Sequence, residues 1–450
     1  MIVSFSVANF RSFNSEETFS LVASNRLSDS HADHAIKIPD SKEKVLRTGV
    51  LYGANGAGKS NLFKALRYCK DVALKSREKG TGTGRERFRF EKTENIASTF
   101  DLQFVVDSKL YRFGFKLDDE RITEEWLVRV TGSKERILYE RITNESGDVT
   151  VEIDEGLKAD ATKVAALATV GGPQNQSFLA TVGVMLEQAH YGDDFSSILA
   201  WFINLVLVGP SDNVRNLGSR LSNDPDLLSF AGQFLKLAST GVDELKVQKR
   251  DLSERELNSM LPENLRNSIS QGVSPRIIKL GEGNEVHPGR QGGDPFQITV
   301  QALHQHKADE VVALDLNEES DGTCRLLNLI PALYDLQKHG AVYFIDEIDR
   351  SLHPNLVWNF LEAFLKSAAG SQGQIIVTTH ESTLLDQKLL RRDEIWFAEK
   401  DSSAATHLYS LIDFQVRKDL EIRKHYLQGR FGAIPFFGNL DGLLNEIPQE

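Results

Sequence analysis

The sequence predicts an α/β fold, and three observations carry that expectation. A glycine-rich loop, Gly53 to Ser60, stands between an apolar strand and an amphipathic helix. A second apolar strand, Tyr343-Phe-Ile, ends in the adjacent carboxylates Asp346 and Glu347. The last third of the chain alternates strand and helix patterns, which suits a sheet with helices packed on it.

Taken in order, the first residues alternate, with Ile2, Ser4 and Ser6 against Val3, Phe5 and Val7. Period two reads as a strand, and Thr18 to Ala23 as a second. Ser24 to Lys44 is polar and without strong period. Val45 to Tyr52 is apolar enough for a buried strand. Lys59 to Lys75 carries Leu62, Phe63, Leu66 and Val72 at helical spacing. Arg77 to Arg89 is basic and glycine-bearing. It is read as a solvated loop, with contact to phosphate or nucleic acid as the alternative.

Phe100 to Leu117 is a hairpin turning at Asp107-Ser108, with Tyr111, Phe113 and Phe115 alternating on the return strand. Further strands are expected at Thr123 to Val130, Arg136 to Arg141 and Val149 to Ile153. Ser177 to Leu261 is mostly helical in pattern, and Gly281 to Asp294 reads as a flexible loop. Strand pattern returns over Phe296 to Leu314, then at Ala341 to Ile345, Gln374 to Thr379 and Glu394 to Phe397, with a helix over Asn355 to Leu365. The expected organisation is residues 1–175 as an N-terminal lobe, 176–295 as a mainly helical insertion and 296–450 as a C-terminal lobe. No internal repeat, heptad run or low-complexity tract is found.

Of the 450 residues, 40% are hydrophobic and 26% charged, an ordinary composition with ample material for a core. The net charge of −12 argues against attraction of the whole surface to nucleic acid or anionic membrane. A local basic patch is compatible with it. Two cysteines, Cys69 and Cys324, make neither a disulfide framework nor a zinc site. The first residues lack the pattern of a signal peptide, and no stretch reaches the ~20 apolar residues of a membrane span. A cytoplasmic protein with no membrane partner is expected.

Gly53-Ala54-Asn55-Gly56-Ala57-Gly58-Lys59-Ser60 fits G-x-x-x-x-G-K-[ST] in the strand-to-helix context that motif needs. Glycines let backbone N–H groups turn inward around phosphates, and the helix N-terminus adds positive potential. Lys59 is a compact cation for β- and γ-phosphates, and Ser60 offers a hydroxyl to Mg2+. Asp346 is suited to the Mg2+ shell, and Glu347 to polarising an attacking water. In Gln374 to His380, a strand ends in His380, where a lone histidine is ordinarily a packed or surface residue. Ser320-Asp321-Gly322 opens an amphipathic helix, which by itself reads as an ordinary cap. His304 and His306 lack a third ligand and are read as structural, and Glu124 and Glu125 as surface charges. No N-K-x-D guanine motif is present, so ATP is favoured over GTP.

The order GANGAGKS, SDG, YFIDEIDRSLHP, TTH resembles the ABC/SMC-type ATPases. More closely, it resembles the RloA/AriA-like AAA ATPases of bacterial anti-phage operons, as do Phe5 to Phe13 and Tyr426 to Pro435. The resemblance implies an ABC-type ATPase head, a P-loop lobe plus an α/β core, with a helical insertion in place of a long coiled coil. It implies that ATP and Mg2+ bind, that a second copy supplies Ser320, Asp321 and Gly322 in trans, and that Glu347 and His380 are catalytic. Gln176, or less directly Gln103, stands as the Q-loop residue at the metal, and Arg11 as a nucleotide contact. His353 stands where transporter-type relatives have aspartate, which leaves the D-loop contact open. The implied partners are a second copy of the chain and a separately encoded effector, a TOPRIM nuclease or RloB-like protein, under a phage trigger. The implied role is the sensor of an abortive-infection system, and the alternative is a RecF/SMC-like DNA-maintenance ATPase.

Overall fold

The computed structural model describes residues 1–212, 216–262, 277–287, 295–307, 310–338, 340–367, 372–415 and 420–434. Pro435 of the late motif and 288–294 of the expected flexible loop lie outside them. Strands β1 (Ile2–Ala8), β2 (Glu17–Ser20), β3 (Ala35–Lys37), β4 (Lys44–Leu46) and β5 (Thr48–Tyr52) precede helix α1 (Lys59–Leu74). Next come β6 (Ser98–Val106), β7 (Lys109–Leu117), β8 (Ile122–Thr131), β9 (Lys134–Thr143) and β10 (Val149–Ile153). Helices α2 (Glu155–Asp160), α3 (Thr162–Ala168), α4 (Phe178–Met185) and α5 (Asp193–Asn204) lead into β11 (Leu205–Val208). Then follow α6 (Leu217–Asn223), α7 (Pro225–Leu237), β12 (Glu244–Asp251), α8 (Glu254–Met260), β13 (Ile278–Gly281), β14 (Asn284–His287), β15 (Phe296–Lys307) and β16 (Glu310–Asp315). The remainder is α9 (Asp321–Lys338), β17 (Val342–Ile345), α10 (Pro354–Ser367), β18 (Gln374–Thr378), β19 (Ile395–Lys400), β20 (Thr406–Ser410) and α11 (Ile422–Leu427). Among the described residues no helix is long and apolar enough to cross a membrane.

The chain divides into two compact units. The first comprises Met1–Leu207, His339–Ile348 and Leu365–Glu450. It holds a seven-stranded antiparallel sheet in the order β10-β9-β8-β7-β6-β1-β2 and a six-stranded sheet in the order β11-β17-β18-β5-β19-β20. In the first sheet the β6–β7 hairpin turns through Asp107 and Ser108, at φ 46° and 57°. Both values are positive, as a tight hairpin turn that follows the strands' twist requires. In the second sheet β17, β18, β5 and β19 are parallel, and β20 returns antiparallel.

Helix α1 turns Leu62, Phe63, Leu66, Cys69 and Val72 into one core with the inner faces of both sheets. Phe63 meets Phe344 of β17 edge-on at 5.4 Å, so the helix that follows the glycine loop packs on the strand that ends in the carboxylates. Each such buried side chain stabilises by about 1.5–3 kcal/mol relative to exposure. Gln374, fully buried, stitches three chain segments. Its amide accepts from Ile2 N–H (2.7 Å) and donates to Ile2 O (2.9 Å) and Leu46 O (2.8 Å).

Two charged stretches differ from their expected surface roles. Glu125 is buried, not a surface charge. Its carboxylate accepts from Phe178 N–H (2.9 Å) and Leu179 N–H (3.3 Å), capping α4, and from the Tyr139 hydroxyl (2.6 Å). Burial pushes its pKa up, and Arg141, with Nε 3.8 Å away, opposes that rise. The alternation of β8 puts Glu125 on the face that meets α4, a contact invisible in local sequence. Likewise Arg77 to Arg89 contains no strand or helix, but Arg85 is a buried staple. It pairs with Asp119 (2.6 Å) and donates to Ile96 O (2.7 Å) and Glu94 O (2.9 Å).

The second unit comprises Val208–Lys338 and Asp349–Phe364. Its sheet runs β12-β15-β14-β13, with β16 also paired to β15. Its core gathers Leu221, Leu227, Leu235, Val300, Leu327 and Ile330, from α6, α7, β15 and α9. Arg220 grips Asp335 with two hydrogen bonds, of 3.1 and 2.6 Å. Over 176–295, helices α4 to α8 are interleaved with β11, β12, β13 and β14. β12, Glu-Leu-Lys-Val-Gln-Lys-Arg-Asp, is solvated over most of its length, so its apolar period is too short to read.

Replacing Glu125 by alanine should lower unfolding stability by about 3–5 kcal/mol, because Arg141 is then buried without its counter-charge. Urea denaturation of the two proteins measures this.

Candidate functional site

In the first unit, β18 lies between β5 and β17, and all three run parallel, with Leu51 opposite Thr378 and Val377 opposite Ile345. Their C-terminal ends therefore share one edge of the sheet, where open α/β sheets bind ligands. β5 delivers the glycine loop, β18 delivers His380, and β17 delivers Asp346 and Glu347. Two strand spacings of about 4.8 Å separate the outer pair.

The glycine loop is shaped by what surrounds it. Gly58 caps α1 at φ +113°, in a region that side chains other than glycine's rarely adopt. A Cβ there would stand 2.2 Å from Thr406 Oγ1. That hydroxyl lies 2.8 Å from both Ala57 O and Ser12 Oγ, and Asn61 of α1 donates to Ser12 Oγ at 2.7 Å. Thr406 and Ser12 thus brace the loop from outside, a role local sequence did not signal. Lys59 is buried, with Nζ donating to Gly53 O (2.8 Å) and Ala54 O (3.3 Å) and standing 3.0 Å from His380 Nε2. Ser60 is half-buried in the first turn of α1.

Asp346 is buried and Glu347 half-buried. Thr378 Oγ1 donates to Asp346 Oδ1 (2.6 Å) and accepts from Glu347 N–H (2.8 Å). Glu347 has φ +49°, a left-handed conformation worth about 1–3 kcal/mol of strain in a non-glycine residue. Its backbone is held there by Thr378.

Gln176, the expected Q-loop residue, makes its hydrogen bonds beyond the far end of α1. Its buried amide accepts from Arg77 N–H (2.9 Å) and donates to Thr181 Oγ1 (2.9 Å). Arg77 follows the C-terminal end of α1, whose 16 residues span about 24 Å from Lys59. Both ends of the amide serve the fold there. Gln103 lies within β6, opposite Ser4 and Arg112. Arg11, at φ 52°, pairs with Glu86, and its neighbour Ser12 makes the contact with α1.

In the second unit, Ser320 caps α9, with Thr323 N–H donating to its Oγ at 3.1 Å. Ser320 and Asp321 are exposed and Gly322 half-buried. A Cβ on Gly322 would meet Ser351 O at 2.9 Å, so glycine lets the 349–353 turn approach. His353 is exposed and caps α10, its Nδ1 accepting from Asn355 N–H at 3.2 Å. His304 contacts Glu319 at 2.5 Å, and among the described residues no group of three or more His, Cys, Asp or Glu could hold a metal ion.

Residues 50–386 match the model of a family described as "AAA domain, putative AbiEii toxin, Type IV TA system". The chain belongs to this AAA family. The α/β head expected from the sequence, a P-loop lobe plus an α/β core, is the one found. Solved structures similar to this AAA chain include the SMC head domain from Thermotoga maritima, at 12% identity and TM-score 0.36, covering 91% of this chain and 98% of that one. Another is the Smc head domain with an extended coiled coil bound to the C-terminal domain of ScpA, derived from Pyrococcus furiosus. It is 14% identical at TM-score 0.33, covering 91% of this chain and 96% of that one. No curated protein matches the sequence.

Gly58→Ala should weaken nucleotide binding at least about tenfold, since loop and Thr406 cannot both keep their places. Adding Thr406→Ala should recover part of that loss, and a double-mutant cycle on nucleotide affinity measures the coupling.

Proposed function

We propose that this AAA protein is an ATP-hydrolysing switch of the ABC type, whose site is completed when two copies pair. The observation that carries the reading is the shared edge on which Lys59, His380, Asp346 and Glu347 meet, with Lys59 Nζ 3.0 Å from His380 Nε2. The residues fit a nucleotide and Mg2+. At Gly56 of the loop a Cβ would meet nothing within 4 Å, so the turn leaves open space beside its backbone, and Ser60 and Asp346 are the hard oxygen donors Mg2+ prefers. Mg2+ usually keeps few protein ligands beside substrate phosphates, so no all-protein cage is required. When bound, it would neutralise charge on the β- and γ-phosphate oxygens.

Gly53 to Gly58 wrap the phosphates with backbone N–H groups, and Lys59 supplies the compact cation. Glu347 orients and deprotonates the attacking water, and His380 reaches the γ-phosphate. Ser320, Asp321 and Gly322 of a second copy contribute a helix N-terminus to the same phosphate. Arg11 contributes at the loop side. ATP is then both substrate and part of the interface, and its cleavage loosens the pair.

The family description names a "putative AbiEii toxin, Type IV TA system", which supports a defence role. On that reading the chain is the sensor subunit, and a separately encoded effector, a TOPRIM nuclease or RloB-like protein, is held until a phage trigger appears. The arginine loop does not favour the DNA-maintenance reading, because Arg85 and Arg87 are engaged with Asp119 and Glu94.

Light scattering with ATP and Mg2+ tests the switch. Glu347→Gln is expected to release phosphate at least about a hundredfold more slowly and to accumulate as a larger assembly than wild type. Normal hydrolysis by that variant would remove Glu347 from the role of base. An assembly unchanged by nucleotide would remove the pairing step.

A further inference from the structure

Thr378 closes β18 and contacts three successive residues of the neighbouring turn. Its hydroxyl donates to Asp346 Oδ1 and accepts from Glu347 N–H, and its carbonyl accepts from Ile348 N–H at 3.1 Å. The residue is 0% exposed and ends the strand Gln-Ile-Ile-Val-Thr, all of it buried. A hydroxyl in such a place is costly unless it is bonded, and valine would fill the same shape. What distinguishes threonine here is therefore the two hydrogen bonds, one to the Asp346 carboxylate and one from the Glu347 backbone. Glu347 needs such a hold, because its backbone lies in the left-handed region. Without a donor, Asp346 Oδ1 loses a bond that fixes its carboxylate plane.

We propose that Thr378 is a positioning residue for γ-phosphate cleavage, its hydroxyl setting the backbone of Glu347 and the orientation of Asp346 as one unit. This rests on the ATPase reading above. It acts through the Asp346 carboxylate and the Glu347 backbone, so its loss should appear in turnover and metal dependence and not in nucleotide affinity.

The test compares Thr378→Val with Thr378→Ser in the full chain. Thr378→Val should lower kcat by about ten- to a hundredfold and raise the Mg2+ concentration for half-maximal turnover. Affinity for a non-hydrolysable ATP analogue should change by less than about threefold. Thr378→Ser, which keeps the hydroxyl, should restore most of the turnover. Independently of activity, hydrogen exchange at the Glu347 amide should quicken at least about tenfold in Thr378→Val and stay near wild type in Thr378→Ser. If the valine variant does not fold, Thr378→Cys, a weak donor of similar size, should show the same losses.

Wild-type kcat in Thr378→Val, or unchanged protection of the Glu347 amide, overturns the proposal. Active wild type and inert Glu347→Gln beside an unaffected Thr378→Val would remove the positioning role alone. A wild type that does not hydrolyse ATP would remove the ATPase reading and this role with it.

Discussion

The parallel pairing of β18 between β5 and β17 is the constraint on which the candidate site depends. Parallel strands put all their C-terminal ends on one edge, so three segments far apart in the chain deliver their polar residues together. The register matters as much as the order. Leu51 opposite Thr378 and Val377 opposite Ile345 set the glycine loop, the histidine and the carboxylates at one level. A shift of one residue would turn alternate side chains to the wrong face, and the buried Thr378 hydroxyl would no longer find Asp346.

The rest of the first unit keeps that edge fixed. Helix α1 shares its core with both sheets, and Phe63 against Phe344 makes the position of the glycine loop depend on that of β17. Gln374, at the other end of β18, spends its whole amide on Ile2 and Leu46. A buried amide satisfied in this way tolerates one arrangement of its neighbours, so it specifies register as well as adding stability. Glu125 does the same for α4, with a carboxylate that α4's first N–H groups keep in use despite burial.

In the second unit the same economy of polar groups appears at helix starts. Ser320 and His353 each cap the helix they precede, and Ser320 remains exposed while doing so. Ser320 Oγ takes up the Thr323 N–H, one of the donors that a helix start leaves without an intrahelical partner.

The sequence by itself determined the local chemistry: the strand, glycine loop and helix at 48–74, the β6–β7 hairpin with its Asp107-Ser108 turn, and the carboxylates ending an apolar strand. These were legible because each is written within a few adjacent residues, by period, glycine placement or turn chemistry. Tertiary structure alone decided which of the polar residues meet. No motif or spacing marks Thr378 or Thr406, yet one holds Asp346 and Glu347 and the other braces Gly58. Gln176 and Glu125 read as a metal contact and a surface charge, yet both are buried in the fold's own hydrogen bonds. The physical reason is that a hydrogen bond between segments far apart in the chain joins residues with no spacing rule between them. Periodicity shows that a side chain faces inward, and only packing selects its partner.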